Sequence, residues 1–206
     1  MKARPWALVP AKAFARSKSR LAPVLGDAER DALARGFLEH VLDVVAASDA
    51  VEGAMVVTDS DEVADVAMAR GAVVVRDEAT SLGAIVDAAL ARLRARGAKS
   101  ALVLMSDLPD LAADDVRALA SAVATEDVVI APDLRAAGTN ALGVALSAPF
   151  PTCFGHADSF VRHLACAQAL GLRVRTHTSD RLGFDVDVPS DLDELNRKRS
   201  SRESAA

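Results

Sequence analysis

The chain has 206 residues, of which 51% are hydrophobic and 26% charged, as expected for one soluble α/β domain. No apolar run approaches the roughly 18 residues that a membrane helix requires, and a mean hydropathy of +0.19 argues against a disordered chain. The formal net charge of -5 argues against nucleic acid or an acidic membrane as partner, because domains that bind them are usually basic.

Positive charge is concentrated at the start of the chain. The first acid is Asp27, and the 26 residues before it carry a formal charge of +6. This pattern leaves two interpretations open, a local site for an anion or a basic terminus that is merely solvated. The six cations are Lys2, Arg4, Lys12, Arg16, Lys18 and Arg20.

The two cysteines and the start of the chain bear on its location. Cys153 and Cys166 are too few for a disulfide scaffold or a cysteine-rich zinc site. The apolar run after Arg4 ends at Lys12 and is too short for a signal peptide. Both observations predict a protein of the reducing cytoplasm.

Apolar runs of strand length alternate with segments of helical periodicity. The pattern predicts strands at 6–10, 54–57, 72–75, 101–105 and 128–131, and helices at 27–47, 61–70, 82–96 and 114–123. Asp27 is a plausible N-cap for the first helix, and the segment 11–23 before it is predicted to be a loop. Alternating strands and helices indicate an α/β fold with a mostly parallel central sheet flanked by helices.

The rhythm changes after Pro132. A strand is predicted at 138–146, an irregular stretch at 149–155, a helix at 158–170, a strand at 172–176, and a short helix from Ser190 to about Arg197. The polar residues from Lys198 onward are expected to be frayed. The organisation predicted is therefore one domain at 1–197 followed by a polar tail at 198–206.

Ligands bind at the carboxyl ends of strands in a parallel sheet, so the residues after each strand are the first candidates. The loop after the first strand supplies Lys12, Arg16, Lys18 and Arg20 together with two serines. Lysine point charges and arginine forks suit a polyphosphate. The glycine patterns of the Rossmann fingerprint and the P-loop are absent from the sequence, so phosphate binding here would depend on side-chain charge.

Three aspartates are candidate metal ligands. Asp107 follows the fourth strand, and Asp185 and Asp187 point the same way if their segment is extended. Carboxylates at strand ends are the oxygen ligands that Mg²⁺ prefers. The alternative is structural: Asp107 and Asp110 would be turn formers beside Pro109, and Asp187 would cap the last helix.

Two further segments could hold a small anion. Gly138-Thr139-Asn140 and the stretch from Gly155 to Ser159 each offer hydroxyls and backbone amides. The histidines carry less information: His40 and His163 fall within predicted helices and are interpreted as structural.

The order of these motifs resembles the CofC/FbiD-type guanylyltransferases of coenzyme F420 biosynthesis, and the likeness spans nearly the whole chain. Its pieces are Val9-Pro-Ala-Lys12, Lys18-Ser-Arg-Leu21, Val56-Val-Thr-Asp59, Ser106-Asp-Leu-Pro109, Gly138-Thr-Asn-Ala-Leu142, Phe154-Gly155 with Ser159-Phe160, Arg162-His-Leu164 and Asp185-Val-Asp-Val-Pro189. The Gly-Thr-Asn-Ala-Leu segment and the Phe-Gly, Ser-Phe and Arg-His-Leu series are the more specific.

The resemblance implies a single-domain, Rossmann-like GT-A-type nucleotidyltransferase fold. It also implies that GMP passes from GTP to 2-phospho-L-lactate or phosphoenolpyruvate, with Mg²⁺ as cofactor and pyrophosphate as product. The implied site residues are Asp107, Asp187 and Asp185 for the metal, Lys12, Lys18 and Arg20 for the triphosphate, Thr139, Gly155 and Ser159 for the phospho-acid, and Val9, Pro10 and Asp59 for the nucleoside.

Three positions differ from the family's pattern. Leu134 and then Arg135 stand where the family has arginine directly after Pro-Asp. Gly83 replaces an asparagine of the expected nucleotide pocket, and the spacing from Gly155 to Ser159 is one residue longer and includes Asp158.

The chemistry implied agrees with the residues present. A phosphate monoester with a second pKa near 6 is largely deprotonated at pH 7 and needs no protein base to attack phosphorus. Four alternatives remain open: a transferase for 3-phosphoglycerate, one for the molybdenum cofactor, a glycosyltransferase that uses Asp-Val-Asp, and a non-catalytic nucleotide-binding domain. The oligomeric state is also open, with a homodimer as one option.

Overall fold

The computed structural model describes residues 3–77, 81–147 and 150–204. Its strands are β1 (Trp6–Pro10), β2 (Ala54–Thr58), β3 (Val73–Arg76), β4 (Ser100–Leu104), β5 (Val128–Pro132), β6 (Thr139–Ala145) and β7 (Val174–Thr176). Its helices are α1 (Asp27–Ala47), α2 (Asp61–Ala69), α3 (Leu82–Ala95), α4 (Ala113–Val123), α5 (Ser159–Ala169), α6 (Asp180–Gly183) and α7 (Pro189–Glu203). The predicted α/β fold is confirmed.

The seven strands form one sheet in the order β3-β2-β1-β4-β6-β5-β7. Every pairing is parallel except those of β6, which runs antiparallel to both β4 and β5. Because of this reversal, the beginning of β6 lies at the edge where β4 ends, and the Met105 N–H donates to the Asn140 carbonyl at 3.0 Å. Residues 139 and 140 thereby join the edge where ligands are expected.

The sheet is covered on both faces, so its strands are almost entirely apolar. One buried cluster joins the sheet to α1, α2 and α4, and a second joins it to α3 and α5. A third, smaller cluster lies outside the sheet and holds Leu21, Phe37, Phe184, Val186 and Leu195 together. This last cluster fixes the loop after β1 against the segment that contains the two late aspartates.

The loop predicted at 11–23 contains two short 3-10 turns, Phe14–Arg16 and Ser19–Leu21. The residue that precedes α1 as its N-cap is Gly26, not Asp27 as predicted. The Gly26 N–H donates to the Glu29 side chain at 2.8 Å, so a carboxylate one turn into the helix satisfies the free backbone donor. Pro149, at the start of the irregular stretch predicted at 149–155, lies outside the described residues.

The prediction that the last helix ends near Arg197 is wrong, because α7 continues to Glu203. Lys198 and Arg202 both form ion pairs with the buried carboxylate of Asp110, at 2.7 and 2.9 Å. Lys198 also lies 3.7 Å from the centre of the Phe184 ring. These contacts explain why a polar segment stays helical, and the boundary predicted between 197 and 198 falls inside this helix.

Helix α6 was not predicted from the sequence. It is a single turn that begins after Ser179, whose side chain accepts from the Leu182 N–H at 3.3 Å. Arg181 in this turn forms an ion pair with the buried Asp115 of α4. None of the helices in the described part of the chain is long and apolar enough to cross a membrane.

Candidate active site

A cleft of about 430 Å³ opens at the carboxyl edge of the sheet, where the chain changes direction between β1 and β4. Its lining comes from the segments that follow β1, β2, β3 and β4, together with parts of α1 and α3 and with Asp187. This is the position where open α/β sheets bind their ligands. The cleft therefore collects most of the strand-end residues that the sequence singles out.

Lys18 lies at the centre of the polar part of the cleft. Its Nζ is 2.5 Å from Asp107 Oδ2 and 3.2 Å from Asp187 Oδ1, and its side chain is only 5% exposed. Burial disfavours the ammonium, but the two carboxylates outweigh it and raise the pKa of Lys18 above its ordinary value. The residue also has a left-handed backbone with φ of 53°, a strained conformation for lysine that is often found at functional sites.

Asp107, Asp185 and Asp187 each place one carboxylate oxygen within 4.8 Å of the other two. Burial, together with the charges of Asp107 and Asp187, raises the pKa of Asp185 to about 6. Asn140 lies beside Asp185, with Nδ2 at 3.4 Å from its Oδ1, and donates to the Leu182 and Gly183 carbonyls at 3.0 and 3.1 Å. Three oxygen ligands that repel one another fit a divalent cation, whose charge would relieve the repulsion.

Asp107 and Asp110 both lie in turns, as their structural alternative expects, whereas the capping role considered for Asp187 falls to another residue. Asp191, not Asp187, caps α7 by accepting from the Asp187 and Val188 N–H groups, both at 3.0 Å. The carboxylate of Asp110 binds Lys198 and Arg202. The side-chain partners of Asp107 and Asp187 are the cleft cations Lys18 and Arg20.

The basic residues of the N-terminal segment are divided by the fold. Lys12, Arg16 and Lys18 line the cleft, and Arg20 contacts Asp187 at 3.5 Å. Arg4 faces away and contacts Glu52 and the Asp49 carbonyl, while Lys2 lies outside the described residues. For four of the six cations, a local anion site is therefore a better interpretation than a solvated terminus.

The nucleoside residues implied by the resemblance occupy different environments. Pro10 and Asp59 line the cleft, whereas Val9 is fully buried in the core below it. Arg16 forms an ion pair with Asp59 and, mainly through this hydrogen bond, lowers the pKa of that carboxyl. This pairing could not be predicted from the sequence, because 43 residues separate the partners.

The structure also adds cleft residues that had not been singled out. Asp77 lines the cleft as Asp59 does, and Leu82, Ile85 and Met105 form part of its apolar wall. The position of Asp77 directly after a strand was the available signal. The apolar residues carried no signal, since their spacing alone predicts only a buried helix face and a strand end.

Thr139, Gly155 and Ser159 do not line the cleft, and all three lie near His163. Thr139 Oγ1 is 3.0 Å from His163 Nδ1, and the Cys153 N–H donates to Nε2 at 2.8 Å. Because Nε2 accepts, the ring proton is on Nδ1 and Thr139 Oγ1 is its acceptor. His163 is fully buried, and burial lowers its pKa to about 4, which confirms its structural interpretation.

Two of the departures from the family pattern have local explanations. Gly83 does not line the cleft but faces the segment at 152–154, and a Cβ there would lie 3.1 Å from the Phe154 carbonyl oxygen. The place of this position in the nucleotide pocket stays a prediction. Asp158 forms an ion pair with Arg162 at 2.6 Å, which offsets the negative charge expected near the phospho-acid.

The third departure concerns the loop after β5. The side chain of Leu134 is exposed and packs over Gly183, where an added Cβ would approach Leu134 Cδ2 to 2.9 Å. Arg135 forms an ion pair with Asp191 at 2.9 Å. The arginine at this position therefore stabilises the start of α7, which carries the segment of Asp187.

A family model described as "Guanylyl transferase CofC like" matches residues 6–204. A phosphoenolpyruvate guanylyltransferase from Sphaerobacter thermophilus is 35% identical over 92% of this chain and 91% of its own. A 3-phospho-D-glycerate guanylyltransferase from Phenylobacterium zucineum is 37% identical over 92% and 88%. A 2-phospho-L-lactate guanylyltransferase from Halorubrum lacusprofundi is 37% identical over 87% and 79%.

Solved structures support the same fold. A protein from Desulfovibrio desulfuricans G20, assigned as a nucleotide-diphospho-sugar transferase, superimposes with a TM-score of 0.81 at 20% identity, over 96% of this chain and 88% of its own. At this identity the likeness extends to the fold alone. It confirms the expected α/β fold.

Proposed function

The chain belongs to the family of CofC-like guanylyl transferases, and on that premise we propose that it transfers GMP from GTP to phosphoenolpyruvate or 2-phospho-L-lactate. A phosphate oxygen of the acceptor attacks the α-phosphorus of GTP, the bond between the α-phosphorus and the bridging oxygen breaks, and pyrophosphate leaves. The observation that carries the proposal is the cluster of Asp107, Asp185 and Asp187 facing Lys18 in one cleft.

The acceptor supplies its own nucleophile. Its phosphate has a second pKa near 6 and is largely dianionic at pH 7, so no protein base is needed. His163, which could otherwise be considered, is fully buried and committed to Thr139 and the Cys153 N–H. The task of the site is to bring two polyanions together and hold them in line.

Asp107, Asp187 and Asp185 would hold Mg²⁺, which when bound supplies positive charge to phosphate oxygens as pyrophosphate leaves. Lys18 lies between two of these carboxylates and is fixed there by burial, so its ammonium adds positive charge at a defined position. Lys12 is an exposed cation on the wall of the cleft, and it would bind the β- and γ-phosphates together with Arg20.

The phospho-acid would bind next to the cleft, near the first residues of β6 and α5, where Thr139 and Ser159 lie below the surface. Thr139 begins β6 next to the end of β4, the strand that precedes Asp107. Gly155 has a positive φ of 89°, and Ser159 is the buried first residue of α5. Their amides and hydroxyls suit a small anion, and the named relatives support a three-carbon phospho-acid.

The choice of acceptor rests on these relatives. Phosphoenolpyruvate is the first candidate, because it is the acceptor named for several of the most similar proteins. 3-Phospho-D-glycerate is a second candidate, since one relative of 37% identity is named for it. With phosphoenolpyruvate or 2-phospho-L-lactate as the acceptor, we propose a role in coenzyme F420 biosynthesis, in the cytoplasm.

The proposal is tested by pyrophosphate release from the purified protein with Mg²⁺, each common nucleoside triphosphate and each of the three phospho-acids. Turnover should require GTP and be fastest with phosphoenolpyruvate or 2-phospho-L-lactate. Preference for 3-phospho-D-glycerate would reassign the acceptor, and no turnover with any pair would favour a non-catalytic nucleotide-binding domain. Omitting Mg²⁺ in the presence of a chelator should abolish the signal.

A further inference from the structure

The two ends of the cleft differ in their chemistry. Lys18, Asp107 and Asp187 form the end above β4, whereas Asp59 and Asp77 follow β2 and β3 at the opposite end. The order β2-β1-β4 and a spacing of about 4.8 Å between strands put the end of β2 about 10 Å from the end of β4. This is close to the span of a nucleoside, so a nucleotide with its α-phosphate at the aspartates extends its base over β2.

The cleft between these two ends also has apolar walls that suit a base. Val57, Leu82, Ile85 and Met105 line the cleft and offer apolar surface to the two flat faces of a purine. The carboxylates at the end that follows β2 and β3, Asp59 and Asp77, are positioned to meet the edge of the base. The Thr58 hydroxyl, which lies nearby, accepts from the Ser60 N–H.

An ionised carboxylate only accepts hydrogen bonds, and this limits the base that it can bind by its edge. Guanine presents two adjacent donors, N1–H and the 2-amino group. Adenine and cytosine present a donor beside an acceptor, and uracil presents one donor between two acceptors. We infer that Asp59 accepts from N1–H and the 2-amino group of guanine and is the residue that selects GTP.

Arg16 prepares Asp59 for this role. The guanidinium donates to Oδ2 of Asp59, which leaves Oδ1 and a second lone pair of Oδ2 for the base. The same contact favours the ionised carboxylate, since the hydrogen bond from Arg16 lowers the pKa of Asp59. About one third of the Asp59 side chain is exposed, so the carboxylate is accessible from the cleft.

The inference rests on the proposed transfer from GTP, and its first test compares triphosphates that differ only at the edge of the base. With the wild-type protein, kcat/KM for GTP should exceed that for inosine triphosphate about tenfold, because inosine lacks the 2-amino donor. It should exceed that for ATP by at least about 100-fold, since an acceptor then faces the carboxylate.

The decisive variant is Asp59→Asn, with xanthosine triphosphate as the reciprocal substrate. Xanthine has an oxygen in place of the 2-amino group, so an amide can accept from N1–H and donate to that oxygen. We expect Asp59→Asn to lower kcat/KM for GTP about 100-fold and to prefer xanthosine triphosphate over GTP. Asp65→Asn makes the same charge change on an exposed position of α2 and should keep the wild-type preference.

Two results would overturn the inference. An equal loss with all four triphosphates would mean that Asp59 binds the ribose or serves the fold, and an unchanged preference for GTP would mean that it does not contact the base. Calorimetric titration of GTP and xanthosine triphosphate into both proteins, without an acceptor, gives the same comparison independently of turnover. If turnover fails but the binding preference reverses, the proposed reaction is wrong and the assignment of Asp59 stands.

Discussion

At the scale of single residues, the site is organised by charges that the fold forces together. Lys18 is almost completely buried between Asp107 and Asp187. Burial of Asp185, together with the negative charges of these two aspartates, raises its pKa to about 6. Such groups cost stability unless each charge has a partner. Two predictions follow from the excess of negative charge that three aspartates create around Lys18.

Asp107→Asn and Asp187→Asn should each lower kcat at least about 100-fold, because the amide removes a carboxylate from the proposed metal site. The fold should persist with a lowered melting temperature, because each substitution removes one partner of the buried Lys18 ammonium. The measurement is pyrophosphate release together with circular dichroism, with Asp65→Asn as the matched control. Near-normal activity in either variant would remove that residue from the site.

Asp185→Asn should raise the stability of the metal-free protein at pH 7 while lowering its activity. The folded state holds the pKa of Asp185 at about 6, above the ordinary value of 3.8. It therefore favours the protonated form, and this contribution to stability is lost as the pH rises from about 4 to 6.

The gain from Asp185→Asn should be about 1 to 3 kcal/mol at pH 7 and should vanish near pH 4. Chemical denaturation in the presence of a chelator, at both pH values, measures it. An equal effect at the two pH values would show that ionisation of the buried Asp185 carboxylate is not its cause.

At the scale of elements, α7 supports the site through its two ends. Its first turn contains Asp191, which fixes the backbone of Asp187 and pairs with Arg135. Its last turns contain Lys198 and Arg202, which bind Asp110. The helix thus links the loop after β4, where Asp107 also lies, to the segment of Asp187.

Asp110→Asn should lower the free energy of unfolding by about 1 to 3 kcal/mol, because it weakens two charge-assisted hydrogen bonds to a buried group. It should also increase proteolysis within 198–203 and reduce kcat moderately, since Asp187 is held by the other end of the same helix. Glu194→Gln, which affects an exposed pair with Arg197 on α7, is the control. Resistance of residues 198–203 to proteolysis in Asp110→Asn would contradict this role.

At the scale of the whole molecule, a chain with a net charge of -5 concentrates cations at one cleft. Lys12, Arg16, Lys18 and Arg20 line it or contact its aspartates, and the remainder of the sequence is acidic. The cleft is also lined by Asp59, Asp77, Asp107 and Asp187, so binding of a compact polyanion there depends on the exposed Lys12 and on a metal held by the aspartates. The acidic remainder of the chain disfavours an extended polyanion along the surface.

The KM for GTP should accordingly rise several-fold between about 0.05 and 0.5 M salt, because exposed cations are screened over this range. The change should be smaller in Lys12→Ala, which lacks an exposed cation of the cleft. Steady-state kinetics at fixed Mg²⁺ measures both, and retention on duplex DNA at about 0.1 M salt should be absent. A KM independent of salt would mean that the exposed cations do not attract the nucleotide.

The sequence by itself determined the elements and much of the site. Apolar periodicity located β1 through β5 and α1 through α5 to within a residue or two, because burial on a sheet or helix face imposes that pattern. The rule that ligands bind at strand ends then indicated Lys18, Asp107 and Asp187, all of which meet in the cleft. These inferences depend on local pattern and on order along the chain.

Only the tertiary structure decided which groups pair. The ion pair of Arg16 with Asp59 and the contacts of α7 with Asp110 join residues that are 43 to 92 positions apart. The antiparallel direction of β6 depends on the order of the strands in the sheet. Local propensity contains no information about such contacts, since their energy arises when distant segments are buried together. The surroundings of Val9 and Gly83 are decided in the same way, because neighbours in space, not in sequence, determine what these residues face.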